Sequence, residues 1–322
     1  MTGKPFQKSF QSSLLDPLSM KRTTLETPKD KGNAIIPDND LLSWWNITTG
    51  DSSPYGGMFS TAADLTRLGQ SIFKSSILDP PTTGSWLKPI THTADLRMSV
   101  GMPWEIHRAH LPLGNGTRVV DLYTKNGALG LYTAIIVLSP EHELGYVALM
   151  AGAGRNRLLS YLPDLVTQKL LPAAEDAARE VATKQFSGIF KSRESQMTIV
   201  MDDTLVIKKW TRGDMDVLAI YAALQWPGLQ LTPVLRLYPM GLEEYGRMSF
   251  RGILEVKVDK SDAEVAEVSA GSFSSGCLSW GVVGALTYGN VGFDDFEFEI
   301  NQDGKATGLR PRVMRETLKR VN

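Results

Sequence analysis

The sequence predicts an α+β protein in two parts, an antiparallel sheet with helices over residues 1–185 and an antiparallel β-barrel-like domain over 186–322. Three observations carry this reading. Leu131 to Leu138 and Leu144 to Met150 are apolar runs separated by Ser-Pro-Glu-His-Glu, the pattern of two antiparallel strands joined by a polar turn. Arg157 to Phe186 sets Leu158, Leu162, Leu165, Val166, Leu170 and Leu171 at helical spacing, enough to cover one face of a sheet. Beyond Phe186 the texture changes to short apolar runs between turns, as in an antiparallel β domain.

In chain order, Thr2 to Met20 reads as a short helix with Phe6, Phe10, Leu14 and Leu15 on one stripe, stopped at Asp16-Pro17. Thr23 to Pro54 is polar and broken by Pro28, Gly32, Pro37 and Gly50, so it predicts a long loop. That loop carries Trp44 and Trp45, which either line a substrate cleft or plug the loop onto the core. Ser60 or Thr61 caps a helix whose buried stripe is Leu65, Leu68 and Ile72, with Asp64 in its first turn. Met102 to His107 reads as a strand with Trp104 and Ile106 on one face. His107 and His110 fall on opposite faces of such a strand, a poor metal pair, and no metal site is expected.

Val119 to Lys125 is a third extended run feeding the hairpin, so Lys125, Asn126 and Gly127 stand at the mouth of a three-stranded sheet. A lysine beside a glycine there can bind a substrate carboxylate or simply end a strand in solvent. Pro163 fits the start of the long helix, whereas Pro172 is expected to kink or split it. In the second domain the runs Met197 to Val200, Thr204 to Lys208, Val217 to Ala222, Val234 to Tyr238, Met248 to Glu255, Val282 to Leu286 and Phe293 to Ile300 are the expected strands.

With 34 basic and 35 acidic residues, the charge carries no footprint for nucleic acid, and a small soluble substrate or a protein partner fits better. Cys277 is the only cysteine, which excludes an intramolecular disulfide and a CxxC metal site. No run of about 18 apolar residues is present to span a bilayer, and no apolar core of a signal peptide opens the chain. The expectation is a cytoplasmic chain without membrane contact or cofactor. Asn46-Ile-Thr and Asn115-Gly-Thr match a glycosylation acceptor pattern too short to weigh against that.

Tyr55 to Gln70, the strand with Gly101 and Trp104, and Tyr123 to Ala153 together resemble the second half of the serine beta-lactamase, DD-peptidase and esterase family. The likeness is nearest to fungal beta-lactamase-like proteins with an extra carboxy-terminal β domain. Thr2-Gly-Lys-Pro-Phe through Leu15-Asp-Pro-Leu-Ser-Met resembles the segment that follows their second catalytic motif. The resemblance implies acyl transfer through a serine ester, by a hydrolase or acyltransferase in a fungal secondary-metabolic setting, with full-length relatives that include secreted ones. Family substrates span lactams, peptides, esters and thioesters.

In that family Ser-x-x-Lys supplies nucleophile and base, Tyr-x-Asn relays protons, and Lys-Thr-Gly or a relative supplies a cation and an oxyanion-hole N–H. Lys125-Asn126-Gly127 matches the third motif, and Ala128 falls where the family's strand donates that N–H. The first two belong upstream of the segment resembling Thr2 to Met20, so the chain is expected to lack the family's amino-terminal half. A homo-oligomer would then cover the exposed core. Within the chain, Ser71-Ile-Phe-Lys74 spells Ser-x-x-Lys, but at the carboxy end of a helix, where the dipole opposes an oxyanion. Tyr288-Gly-Asn290 spells Tyr-x-Asn but reads as a turn between strands. Tyr123, Tyr132, Asn126, Gly127, Trp44 and Trp45 are the candidate substrate contacts. The alternative is a non-catalytic remnant that binds a small molecule or a protein through the old cleft.

Overall fold

The computed structural model describes residues 3–113, 116–227, 232–257 and 278–321. Asn115 and Cys277 lie outside the described residues. The chain divides into two compact units, residues 1–174 and 175–322.

The first unit is built on a six-stranded antiparallel sheet in sequential order, β1 (Thr91–His92), β2 (Met98–Val100), β3 (Glu105–Leu113), β4 (Gly116–Leu129), β5 (Tyr132–Ser139) and β6 (Leu144–Ala151). The four expected strands fall on β3 to β6, with Met102 to His107 reaching only the first third of β3. β3 pairs β4 from Glu105↔Thr124 to Leu113↔Gly116, a stretch whose His, Arg and Pro residues hide its strand period in the sequence. β4 is therefore not an edge strand. Only its last residues, Lys125 to Leu129, run past the end of β3 while still pairing β5, with Lys125↔Ile136 and Ala128↔Thr133.

Alternation divides the apolar side chains between two faces. Leu111, Val120, Leu122, Ile135, Val137 and Ala148 form one layer with Leu159, Leu162 and Leu171 of helix α6 (Arg155–Phe186). Trp104, Ile106, Tyr123 and Leu138 form the other, packed with Leu68, Ile72 and Phe73 of α4 (Ala62–Phe73). Helix α6 runs unbroken through Pro163 and Pro172, so Pro172 does not split it. Buried Leu171 holds the chain against the sheet beside the missing Pro172 N–H. The carbonyl of Pro163 is not wasted, since it accepts the Tyr146 hydroxyl at 3.0 Å.

Helix α4 is capped by Thr61, whose hydroxyl accepts the Asp64 N–H. Asp64 is buried, and a buried carboxylate requires donors. It takes them from the Arg22 N–H at 2.8 Å, the Thr23 hydroxyl at 2.9 Å and the Arg67 guanidinium at 2.6 Å. The carboxylate thereby pins the chain at 22–23 to the helix. Upstream, the helix expected over Thr2 to Met20 is an α-turn, α1 (Phe6–Phe10), running into a π-turn at Gln11–Leu15. The π-turn shifts the phase of the stripe, so Leu15 and Met20 are buried while Phe6 stays exposed and stacks on Phe10.

The long loop folds into short turns of helix, α2 (Asp40–Ser43) and α3 (Ser53–Gly56) among them. Asn39 caps α2 by accepting the N–H groups of Leu41 and Leu42. Ser43 meets the β4–β5 turn at Gly130. That glycine has φ of 55°, and a Cβ there would lie 2.4 Å from the Ser43 carbonyl oxygen, so only glycine allows the contact. A further short helix, α5 (Pro80–Trp86), is capped by Asp79, whose carboxylate accepts the Thr82 N–H and is thereby held below the usual carboxylate range.

The second unit is a closed antiparallel barrel. Strands β7 (Gly188–Lys191), β8 (Ser195–Met201), β9 (Leu205–Arg212), β10 (Met215–Asp216), β11 (Thr232–Glu244), β12 (Arg247–Lys257), β15 (Asp295–Ile300), β16 (Ala306–Pro311) and β17 (Leu318–Val321) form one sheet, and it closes because β8 pairs β9. Phe190, Trp210, Phe296 and Phe298 are fully buried inside it, with Phe186, Phe250 and Phe298 at centroid separations of 5.0 to 5.2 Å. Gly252 makes room for this packing: a Cβ there would stand 2.7 Å from the Phe296 ring.

Two expected strands are not strands. Val217 to Ala222 lies in helix α7 (Val217–Gln225), where the Asp216 carboxylate caps the Ala219 N–H and Val217, Leu218, Tyr221 and Ala222 are buried at helical spacing. Val282 to Leu286 is the turn that follows helix α8 (Leu278–Gly281), with Gly284 at φ of 73°. Tyr288-Gly-Asn290 is indeed a turn, joining β13 (Thr287–Tyr288) to β14 (Val291–Gly292), with Gly289 and Asn290 both at positive φ. No described helix is long and apolar enough to cross a membrane.

Candidate active site

The lip of β4 is organised by a residue that the sequence pattern did not mark, Glu105. As the first residue of β3 it stands opposite Thr124, and the Thr124 hydroxyl donates to the Glu105 carbonyl at 2.7 Å. Its carboxylate accepts one bond from the Lys125 ammonium and two from Asn126, the N–H at 3.2 Å and the side-chain amide at 2.6 Å. Lys125 also donates to the Asn126 carbonyl at 3.0 Å. The cation is therefore neutralised and oriented rather than free, although its side chain remains 44% exposed.

These bonds also reveal where the strand's free N–H groups point. In an antiparallel strand, successive N–H groups alternate between the two neighbours. The Asn126 N–H points toward Glu105, hence away from β5. The Ala128 N–H, two residues on, points the same way, past the end of β3. Residues 125–128 are all exposed, and a Cβ at Gly127 would meet nothing within 4 Å. The open end of β4 thus presents a held lysine, a held amide, a glycine without side-chain obstruction and an outward N–H in four consecutive residues.

Tyr123 shares the Lys125 face but is buried, with its hydroxyl donating to the Leu87 carbonyl at 2.8 Å. Burial raises its pKa, helped by Asp121 and Glu141. Tyr132 donates to the Ile35 carbonyl at 3.1 Å and, like Trp45, holds the loop. Trp45 is buried, edge-on to Phe59 at 5.0 Å and tilted on Tyr132 at 6.2 Å, so it serves as the plug. Trp44 lies against Gly130 and stays half exposed, the one tryptophan of the pair open to a ligand.

Ser71 and Lys74 stand at the carboxy end of α4. The Ser71 hydroxyl is buried and donates to the Leu68 carbonyl at 2.7 Å, while Lys74 is exposed at the carboxy cap of α4. Among the described residues no hydrogen bond joins the two.

Residues 1–170 match the family model described as "Beta-lactamase". The chain belongs to the beta-lactamase family. Residues 178–322 match a second model, described as "Beta-lactamase-like-like, C-terminal domain". The α+β unit is thus the beta-lactamase/transpeptidase-like fold, and the barrel is the added domain of its fungal relatives.

This beta-lactamase-family chain is 28% identical to a "Beta-lactamase-like protein" of Arthroderma benhamiae over 344 aligned positions, which cover 98% of the chain and 57% of that protein. It is 28% identical over 199 positions to "Probable hydrolase M10" of Phoma sp., covering 61% of the chain and 32% of the relative. The chain therefore spans little more than half the length of the first and a third of the second. Among solved structures, an octameric penicillin-binding protein homologue from Pyrococcus abyssi is similar at 17% identity and a TM-score of 0.39, over 98% of the chain and 60% of that protein.

Glu105 escaped the sequence reading because its partner set is created by the β3–β4 register, twenty residues from Lys125. A carboxylate at the first position of a strand carries no signal of its own.

Proposed function

We propose that the open end of β4 is one wall of a serine-type acyl-transfer site of hydrolase character, acting on an ester, amide or thioester. In this reading Lys125 positions the substrate's negative charge or the reacting serine, and the Ala128 N–H donates to the oxyanion that develops as the carbonyl becomes tetrahedral. Glu105 keeps Lys125 and Asn126 in place, and Trp44 borders the approach. The observation that carries the reading is the outward alternation of the Ala128 N–H beyond the end of β3. Completion of the reaction needs a serine hydroxyl and its base. Ser71, engaged with the Leu68 carbonyl, is not assigned that part.

A chromogenic p-nitrophenyl ester tests the proposal. Turnover falls by about 100-fold or more in Lys125→Ala, the size expected for loss of a group acting on the transition state, and is unchanged in Ser71→Ala. Turnover indifferent to Lys125 contradicts the reading. The absence of any turnover favours the second reading, a binding protein that keeps the cleft without the chemistry, which the engaged hydroxyl of Ser71 supports.

We also propose that the chain self-associates through β6. The sheet's two edges differ: β1 has two residues, whereas β6 has eight, none of them charged, with Leu149 exposed. Short or charged edges resist pairing, and a long uncharged one invites it. A second copy meeting β6 about a two-fold axis would satisfy it.

A further inference from the structure

We propose that an open depression beside the β4 lip is a binding site for small carboxylates with an apolar body, and that Lys88 reads their charge. The depression has a volume of about 510 Å³ and is lined by Trp86, Met102, Ile90, Ser85 and Lys88 among others. Its walls are apolar and open, with Ile90 and Met102 largely exposed. Its shape is fixed. The Trp86 indole N–H donates to the Met102 carbonyl at 2.6 Å, and Trp86 tilts on Trp104 at 5.0 Å, which in turn stands edge-on to Tyr123 at 6.1 Å.

Two tethers place this depression on the Lys125 face of β4. Leu87, between Trp86 and Lys88, accepts the Tyr123 hydroxyl at 2.8 Å, and Tyr123 and Lys125 project from the same face. Met102 precedes Glu105 by three residues, a reach of about 10 Å at most. The two cations nearby differ in state. Lys125 is neutralised by Glu105, whereas Lys88 is exposed and, among the described residues, makes no hydrogen bond or ion pair. The free charge at an apolar depression is therefore Lys88. A ligand that pairs with it must be an anion, and one that gains from Trp86, Ile90 and Met102 must carry an aromatic or aliphatic body.

The inference deepens the proposed function by naming the substrate class, an acyl compound with an apolar body and a remote carboxylate, and it rests on that reading for its place in the reaction. Binding is measured without turnover, so failure of the ester assay and failure here are separate results. The probes are 4-phenylbutyrate and its neutral amide, titrated into the full chain while the Trp86 indole resonance is followed by NMR. The acid shifts that resonance saturably and binds more tightly than the amide. Lys88→Gln weakens the acid about three- to fivefold, the size of an exposed ion pair, and leaves the amide unchanged. Ile90→Ser, at an exposed position that the fold tolerates, weakens both. Equal binding of acid and amide to the wild type, an acid affinity unmoved by Lys88→Gln, or no shift of Trp86 with either probe overturns the proposal.

Discussion

Glu105 is the residue on which the order of the lip depends, and removing it has a calculable consequence. Its pair with Lys125 joins side chains 30% and 44% exposed, so the ion pair contributes only about 0.2–1 kcal/mol. The two bonds from Asn126 go to a charged acceptor, but solvent competes for it, and each is worth about 0.5 kcal/mol here, well under the value for a buried charge. Glu105→Ala should therefore destabilise by about 1–2 kcal/mol, or a drop of about 2–8 °C in Tm for a unit of this size. Glu105→Gln keeps an acceptor for Asn126 and should lose roughly half as much. Thermal unfolding followed by circular dichroism measures both, and a double-mutant cycle with Lys125→Met isolates the pair, with a coupling of about 0.5 kcal/mol expected. If Glu105→Ala melts with the wild type, or if the coupling with Lys125 is zero, the lip is not held as described.

Trp45→Ala should cost about 3–5 kcal/mol because a buried indole leaves a cavity between Phe59 and Tyr132, whereas half-exposed Trp44→Ala should cost much less; equal losses by denaturant titration would contradict the assignment of plug and open partner. Burial raises the pKa of Tyr123, Tyr146 and Tyr221, with Asp294 adding to the effect at Tyr221. The folded chain thus holds these protons longer than the unfolded one, so stability is complete below the unfolded tyrosine value of about 10 and declines above it. Melting temperatures across that range should fall with pH, and less steeply in Tyr221→Phe; a flat profile would refute the sign. Leu149→Lys places a charge on the uncharged edge of β6 and should shift the chain toward monomer in light scattering, while a wild type that is already monomeric at high concentration would remove the self-association proposal.

The sheet's central hairpin, the α4 cap and the long covering helix were legible because each leaves a local period: alternation across Leu131 to Met150, a Thr-Asp capping pair, leucines at helical spacing. Lys125 to Ala128 was legible as a motif. What escaped was set by distant pairing. β3 looked too polar and too broken by proline to predict at its true length, and its register with β4 supplies Glu105 to the lip. Val217 to Ala222 has the composition of a strand and becomes a helix because Asp216 caps it and its buried face fits the barrel interior. The π-turn after Phe10 shifted a stripe that sequence spacing placed correctly for an α-helix. Trp44 and Trp45 are adjacent in sequence, and their separate roles follow from the left-handed backbone at Trp44, with φ of 67°, which turns one ring outward and the other in.

The most direct test of the β4 lip as a reacting site is the intact mass of the chain after exposure to a fluorophosphonate probe, compared between wild type and Lys125→Ala under conditions where both are folded. The account predicts one covalent adduct on a serine other than Ser71 in the wild type and its loss in the variant. An unmodified wild-type mass, or an adduct formed equally in both, would contradict it.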